Sequence, residues 1–245
     1  MPRYAITIEY DGTDFVGWQV QAEGASVQGV LVAAIKAFSG ETCVVRGAGR
    51  TDSGVHALAQ VAHFDLAKDW DPFRVGEAIN FHVRPHRACV LDCRRVDDTF
   101  DARFSAVRRH YLYRILTRRA QPVLDANRVW WLTQPLDVEA MQKAADILTG
   151  HHDFTTFRAA QCQANSPLRT VDSFKVAHHG EEIRLEVSAR SFLHNQVRSM
   201  TGTLKLVGEG KWTPAGVKAA LEACDRKACG TVAPACGLYL AKVDY

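Results

Sequence analysis

Strict alternation of apolar and polar residues constrains this chain most. Tyr4, Ile6, Ile8 and Tyr10 alternate with Ala5, Thr7 and Glu9, and Ile183, Leu185 and Val187 alternate with Glu182, Arg184, Glu186 and Ser188. A period of two sends alternate side chains to opposite faces of a strand, so each segment predicts a strand with one buried face. Strands covered on one face belong mainly to antiparallel sheets. Segments of helical period lie between them. Ser26 can cap a helix with Val27, Val30, Leu31, Ala34 and Phe38 on its apolar face and Gly40 at its end. The mixture predicts an α+β fold with half-covered antiparallel sheet.

Other elements follow the same reading. Short strands are expected at Cys43 to Val45, Val61 to Leu66 and Cys89 to Val96, and a helix at Asp71 to Phe81. Asp11-Gly12 marks a turn after the first strand. In the second half, His110 to Leu116 alternate, with Tyr111, Tyr113 and Ile115 on one face. Val138, Met141, Ala145 and Leu148 have helical spacing closed by Gly150. Phe192 to Val207 predict a helix with an apolar stripe at Val197, Met200, Leu204 and Val207. Its polar stripe, His194, Arg198, Thr201 and Lys205, reads as an ordinary solvated face. Thr213-Pro214 suits a helix start, and Tyr239, Ala241, Val243 and Tyr245 form one face of a last strand. A chain of 245 residues holds one or two domains. The boundary is expected near residues 100–105, giving halves 1–104 and 105–245.

The net charge of +3 says little, but its distribution says more. Ten arginines lie between Arg84 and Arg119 against four aspartates. Clustered arginine is the footprint of nucleic-acid binding, and equally of a salt-bridged surface. Seven cysteines at irregular spacing give no Cys-x-x-Cys pair and no disulfide framework. The N-terminus enters a strand pattern at once, without a signal-peptide layout, and no apolar run is long enough for a bilayer. A soluble, cytoplasmic protein is expected, with no membrane partner.

One segment concentrates candidate chemistry. Gly47-Ala48-Gly49-Arg50-Thr51-Asp52-Ser53-Gly54-Val55-His56-Ala57 sets a single carboxylate, Asp52, in a glycine-flanked turn. Glycine permits positive φ and close approach of a ligand. If the segment is extended, Arg50 and Asp52 point the same way and can pair, which keeps Asp52 ionised. An isolated turn aspartate usually bonds its own backbone, but here an arginine and three glycines accompany it. With no second carboxylate nearby, the pattern suits a nucleophile or a single acid/base group. The glycines fit neither dinucleotide-binding nor P-loop spacing. The histidines lack metalloprotease spacing, and no metal site is assigned.

A second segment, Phe100-Asp101-Ala102-Arg103-Phe104-Ser105-Ala106 running into Arg108-Arg109-His110-Tyr111-Leu112-Tyr113, interleaves basic and aromatic residues. That suits RNA, whose phosphates bind arginine and whose unpaired bases stack on rings. Strand packing accounts equally for one of the two tyrosines.

Taken together, these motifs resemble the TruA family of tRNA pseudouridine synthases. The resemblance rests on Glu9-Tyr10-Asp11-Gly12, Gly17-Trp18-Gln19, Gly49-Arg50-Thr51-Asp52-Ser53-Gly54-Val55-His56-Ala57, Gln60 to Phe64, and Phe100 to Ala106. It continues through Tyr111-Leu112-Tyr113, Asp153-Phe154-Thr155, Phe192 to Arg198 and Gly237 to Leu240. It implies a cofactor-independent isomerase that converts uridine to pseudouridine at positions 38, 39 and 40 in the tRNA anticodon stem-loop. The implied fold joins two related α/β halves around a central, largely antiparallel sheet with a basic cleft between them. The implied partner is tRNA, not DNA, and the implied assembly a homodimer. By the match, Asp52 is the catalytic aspartate, Arg50 its neighbouring arginine, and Tyr111 the tyrosine that stacks on the target base. Arg198 and Leu238 align with residues lining the site. The chain departs from the family pattern at Val20, where an arginine is usual, and at Val83-Arg84-Pro85-His86-Arg87, where Leu-Pro-x-Asp-Ile is usual.

Overall fold

The computed structural model describes all 245 residues, which form two compact units: Met1–Val107 with Tyr239–Tyr245, and Arg108–Leu238. The first unit runs β1 (Arg3–Tyr10), α1 (Val27–Ser39), β2 (Arg46–Gly47), β3 (His56–Asp65), α2 (Pro72–His82) and β4 (Ala88–Val96). β1 pairs antiparallel with β3 on one side and β4 on the other. The last strand of the chain, Leu238–Asp244, joins β3 in parallel, with Tyr239 opposite His56 and Leu240 opposite Ala57. This pairing places residues 239–245 with the first unit, whereas the sequence reading kept 105–245 together.

The predicted alternation of β1 holds: Tyr4, Ile6, Ile8 and Tyr10 are buried. Val27, Leu31 and Ile35 of α1, Phe64 of β3 and Ile79 of α2 are buried as well, and the Tyr4 and Phe64 rings stack at 5.7 Å. The caps of α1 are the predicted ones. Ser26 Oγ accepts from the Gly29 N–H, and Gly40 takes φ +75°. The helix predicted at Asp71 to Phe81 is α2, with Asp71 as the capping residue.

Cys43 to Val45 do not form the expected strand. The Val45 carbonyl accepts from Gln28 Nε2, so a side chain takes the ladder's place. Pairing starts one residue later, with Arg46 opposite His63 and Gly47 opposite Ala62.

The second unit runs β5 (Arg108–Thr117), β6 (Trp130–Leu132), α3 (Val138–Leu148), β7 (Gly150–Asp153), β8 (Leu168–His179), β9 (Glu182–Ala189), α4 (Gln196–Gly208) and α5 (Pro214–Glu222). β5, β9, β8 and β7 pair in that order, all antiparallel, and β6 lies parallel to the end of β5. Each unit is thus α+β with a largely antiparallel sheet, as the alternation predicted.

α4 differs from its prediction in two ways. It begins at Gln196 rather than Phe192, because Asn195 adopts a left-handed φ of +62°. Its polar stripe is solvated only in part: His194 is exposed and Arg198 and Lys205 are half-buried, but Thr201 is fully buried, as are the neighbouring Ser199 and Thr203. A Cβ on Gly202 would lie 1.8 Å from the Thr231 carbonyl oxygen, so the segment after α5 presses on this face. No helix is long and apolar enough to cross a membrane.

Candidate active site

Asp52 lies between β2 and β3, half-buried, in a loop whose backbone is held at several points. The Val55 N–H donates to the Asp52 carbonyl, closing a four-residue turn, and Gly54 at its third position has φ +77°. That conformation is costly for any residue with a Cβ. On the outer side, residues 12–18 form a strap. The Trp18 N–H donates to the Thr51 carbonyl at 3.0 Å, and the Gly54 N–H to the Phe15 carbonyl at 3.4 Å.

The strap approaches so closely because it contains glycine where backbones touch. A Cβ on Gly12 would lie 2.1 Å from the Val55 carbonyl oxygen. On Gly17, already at φ +117°, it would lie 2.8 Å from that of Thr51. On the inner side, Tyr10 Oη and Thr51 Oγ1 share a 2.8 Å hydrogen bond, and Gln60 Nε2 donates to the Gly49 carbonyl at 2.8 Å. The residues before and after Asp52 are therefore anchored independently, which fixes the backbone that carries its side chain.

Arg50 is exposed, and residues 48–55 lie outside any strand. Strand alternation therefore does not apply to Arg50 and Asp52.

Two histidines of β3 extend the bracing. The Gly12 N–H donates to His56 Nδ1 at 2.9 Å, and the His56 ring stacks on Tyr239 at 4.7 Å. The Ala102 N–H donates to His63 Nδ1 at 3.0 Å. An Nδ1 that accepts leaves the proton on Nε2, which sets the tautomer of the neutral His63 ring; His56 Nδ1 also lies 3.2 Å from Asp11 Oδ1. Burial pushes the His63 pKa down, against the opposing pull of Asp101. The sequence reading gave these histidines no role beyond excluding a metalloprotease motif. Their buried positions on β3 were the available signal.

In the second unit, Tyr111 lies on β5 opposite Val187 of β9, half-buried, with its ring edge-on to Phe192 at 5.3 Å. Tyr113, two residues on, is fully buried and donates from Oη to the Pro234 carbonyl. Of the two tyrosines, Tyr113 is the packing residue. Burial raises its pKa far above the usual phenol range.

Arg198, in the first turn of α4, donates from Nε to the Ala233 carbonyl at 2.8 Å and from Nη1 to Asn195 Oδ1 at 3.0 Å. Gly237 lies flat on the Tyr113 ring, where a Cβ would come within 2.6 Å. Segment 233–238 is thus pinned by Arg198 at one end and Tyr113 at the other, which carries Leu238 into a buried position.

The arginine-rich stretch is partly an ion-paired surface. Arg87, Arg94, Arg95, Arg108, Arg114 and Arg118 all have carboxylate partners. All seven cysteines are free thiols, and burial pushes Cys43 up to about 11 and Cys93 up to about 12, which disfavours the thiolate at those two. No three His, Cys, Asp or Glu side chains converge as metal ligands would.

Comparison with known proteins decides the family. The model of the tRNA pseudouridine synthase family matches residues 6–105 and 144–245. The chain belongs to that family. It is 58% identical over 247 residues to the tRNA pseudouridine synthase A of Sinorhizobium fredii, covering all of both chains. It is 60% identical over 245 residues to that of Azorhizobium caulinodans, covering 100% of this chain and 95% of that one. The match includes the Asp52 loop and its strap, so this pseudouridine synthase is an isomerase enzyme.

Proposed function

We propose that this synthase converts uridine to pseudouridine at positions 38, 39 and 40 in the anticodon stem-loop of tRNA, with Asp52 as the nucleophile. The observation that carries the reading is the fixed Asp52 loop, in which the backbone bearing one half-buried carboxylate is held by bonds at Thr51, Gly54 and Gly49. A preset carboxylate reacts without paying to reorganise its surroundings.

The chemistry assigns the remaining roles. The N1–C1′ bond breaks, the uracil turns while held, and C5 bonds to C1′. C5 then loses a proton and N1 gains one, so no oxidant or cofactor enters the balance. Asp52 attacks the nucleotide covalently to open the first bond and leaves as the second forms. A base inside a stem must first be flipped out, at a cost of about a few kcal/mol. The exposed Arg50 side chain fills the vacated space. Tyr111 stacks on the uracil and takes the C5 proton. Arg198 holds the polar edge, and the apolar Leu238 keeps water from the detached base. The enzyme acts in the cytoplasm as a homodimer on one tRNA.

Tritium release from tRNA labelled at uridine C5 tests the reaction, because C5 gives up its hydrogen only if the new bond forms. Mapping pseudouridine in tRNA from cells lacking the protein tests the positions. Loss at 38, 39 and 40 alone supports them, and unchanged pseudouridine there refutes them.

A further inference from the structure

Val20 and the 83–87 loop, the two places where the sequence departs from the family pattern, line one groove of the first unit, about 280 Å³ in volume. One wall is the start of α1, with Ala25 and Val30. The other is the end of α2 and the loop beyond it, with His82, Arg84 and His86. Val20 is 57% exposed. No carboxylate lines the groove. Arg87, next along the loop, is held by Asp11 and Asp14 at 3.3 and 3.6 Å, which leaves Arg84 as the cation at the groove.

We infer that this groove takes a backbone phosphate of the tRNA substrate, with its ribose against the apolar wall. The inference rests on the proposed tRNA reading and adds a docking point to it. Arg84 supplies a planar fork matched to phosphate oxygens, and His82 and His86 add ring N–H donors. The helix start itself contributes nothing to the anion. The Val27 and Gln28 N–H groups donate to the Gly17 and Trp18 carbonyls, and that of Gly29 to Ser26 Oγ. Recognition therefore lies in side chains and is open to mutation.

The groove adjoins the strap that holds the Asp52 loop. Val20 follows the strap that holds Thr51 through Trp18, and the His86 ring packs beside Phe15, whose carbonyl holds Gly54. A nucleotide seated here is joined to the Asp52 loop by one short run of chain.

The test is tRNA affinity of the full chain across about 50 to 200 mM salt for wild type, Arg84→Ala, Arg84→Lys, Val20→Glu and the control Lys218→Ala. Lys218→Ala removes the same charge from the exposed side of α5. Arg84→Ala is expected to weaken binding about two- to fivefold. It should also lower the slope of log affinity against log salt by about one. Val20→Glu, which sets a carboxylate in the groove, is expected to weaken binding further. Arg84→Lys keeps the wild-type slope, and Lys218→Ala binds as wild type. Wild-type affinity and slope for both Arg84→Ala and Val20→Glu would overturn the groove assignment while leaving the reaction intact. A wild type that forms no pseudouridine in tRNA would instead overturn the function on which it rests.

Discussion

Tyr10 and Thr51 share a buried hydrogen bond of 2.8 Å, side chain to side chain, across 41 residues of sequence. It ties the first strand of the chain to the residue immediately before Asp52. Tyr10 is also fixed by Phe15 and Trp18, whose rings lie 6.2 and 6.4 Å from its own. The bond thus ties the Asp52 loop to the core.

Tyr10→Phe removes this bond and keeps the ring. Unfolding free energy should fall by about 1 kcal/mol, the net worth of one hydrogen bond. Turnover should fall roughly ten- to a hundredfold if Asp52 loses its alignment, with little change in KM. Denaturant unfolding and steady-state kinetics on the same variant check both numbers. An unchanged kcat would show that Thr51 is held well enough without Tyr10.

Gly12→Ala drives a methyl into the Val55 carbonyl, 2.1 Å away. Backbone on both sides must shift, at a cost of about 1–3 kcal/mol. Gly40→Ala serves as the comparison, since nothing lies within 4 Å there and only its φ of +75° is strained. Gly12→Ala should lose both stability and activity, whereas Gly40→Ala should lose stability alone. Thermal melts beside tritium-release rates separate the two.

His63 gives a pH dependence of defined sign. Its folded pKa lies below the unfolded value because burial disfavours the charged ring. The unfolded chain therefore binds more protons in the window just below about pH 6.5, and stability must fall as pH drops through it. The contribution is fully present above that window and lost toward the depressed folded value. His63→Asn, whose side-chain oxygen can still accept from the Ala102 N–H, should flatten this part of the profile. Urea titrations at a series of pH values check it. An unchanged slope in the variant would assign the effect to other groups.

Much of this was legible in the sequence. Alternation in β1 and β9, the Ser26 and Gly40 caps and the Thr213-Pro214 start all appear where period and capping chemistry put them. What was not legible depends on contacts between distant segments. Gln28 takes the Val45 carbonyl from a would-be strand. Thr201 looks solvated by spacing but is fully buried, beside Gly202, against which the chain after α5 packs. The Asp52 turn was visible from its glycines, but the strap that holds it was not. Gly12 and Gly17 act on residues some 40 positions away, and no local pattern encodes that.

Tyr111 separates stacking from proton removal. Tyr111→Phe keeps the ring and its edge contact with Phe192, so tRNA affinity should hold within about twofold while turnover falls by about 10²–10⁴, the range for a lost acid/base group. Tyr111→Ala should lose affinity as well, by about 1–3 kcal/mol for a lost base stack. Gel-shift affinities beside single-turnover rates check the split. Full turnover in Tyr111→Phe would remove the proton-transfer role and leave stacking.

The central claim is that the Asp52 carboxylate performs the reaction. The most direct measurement is tritium release from C5-labelled uridine in tRNA by wild type and by Asp52→Asn, with tRNA binding of both recorded. Asp52→Asn keeps the shape of the side chain and removes its charge and nucleophilicity. The account predicts release by wild type, none above background by Asp52→Asn, and tRNA binding by both. Undiminished release from Asp52→Asn would contradict it.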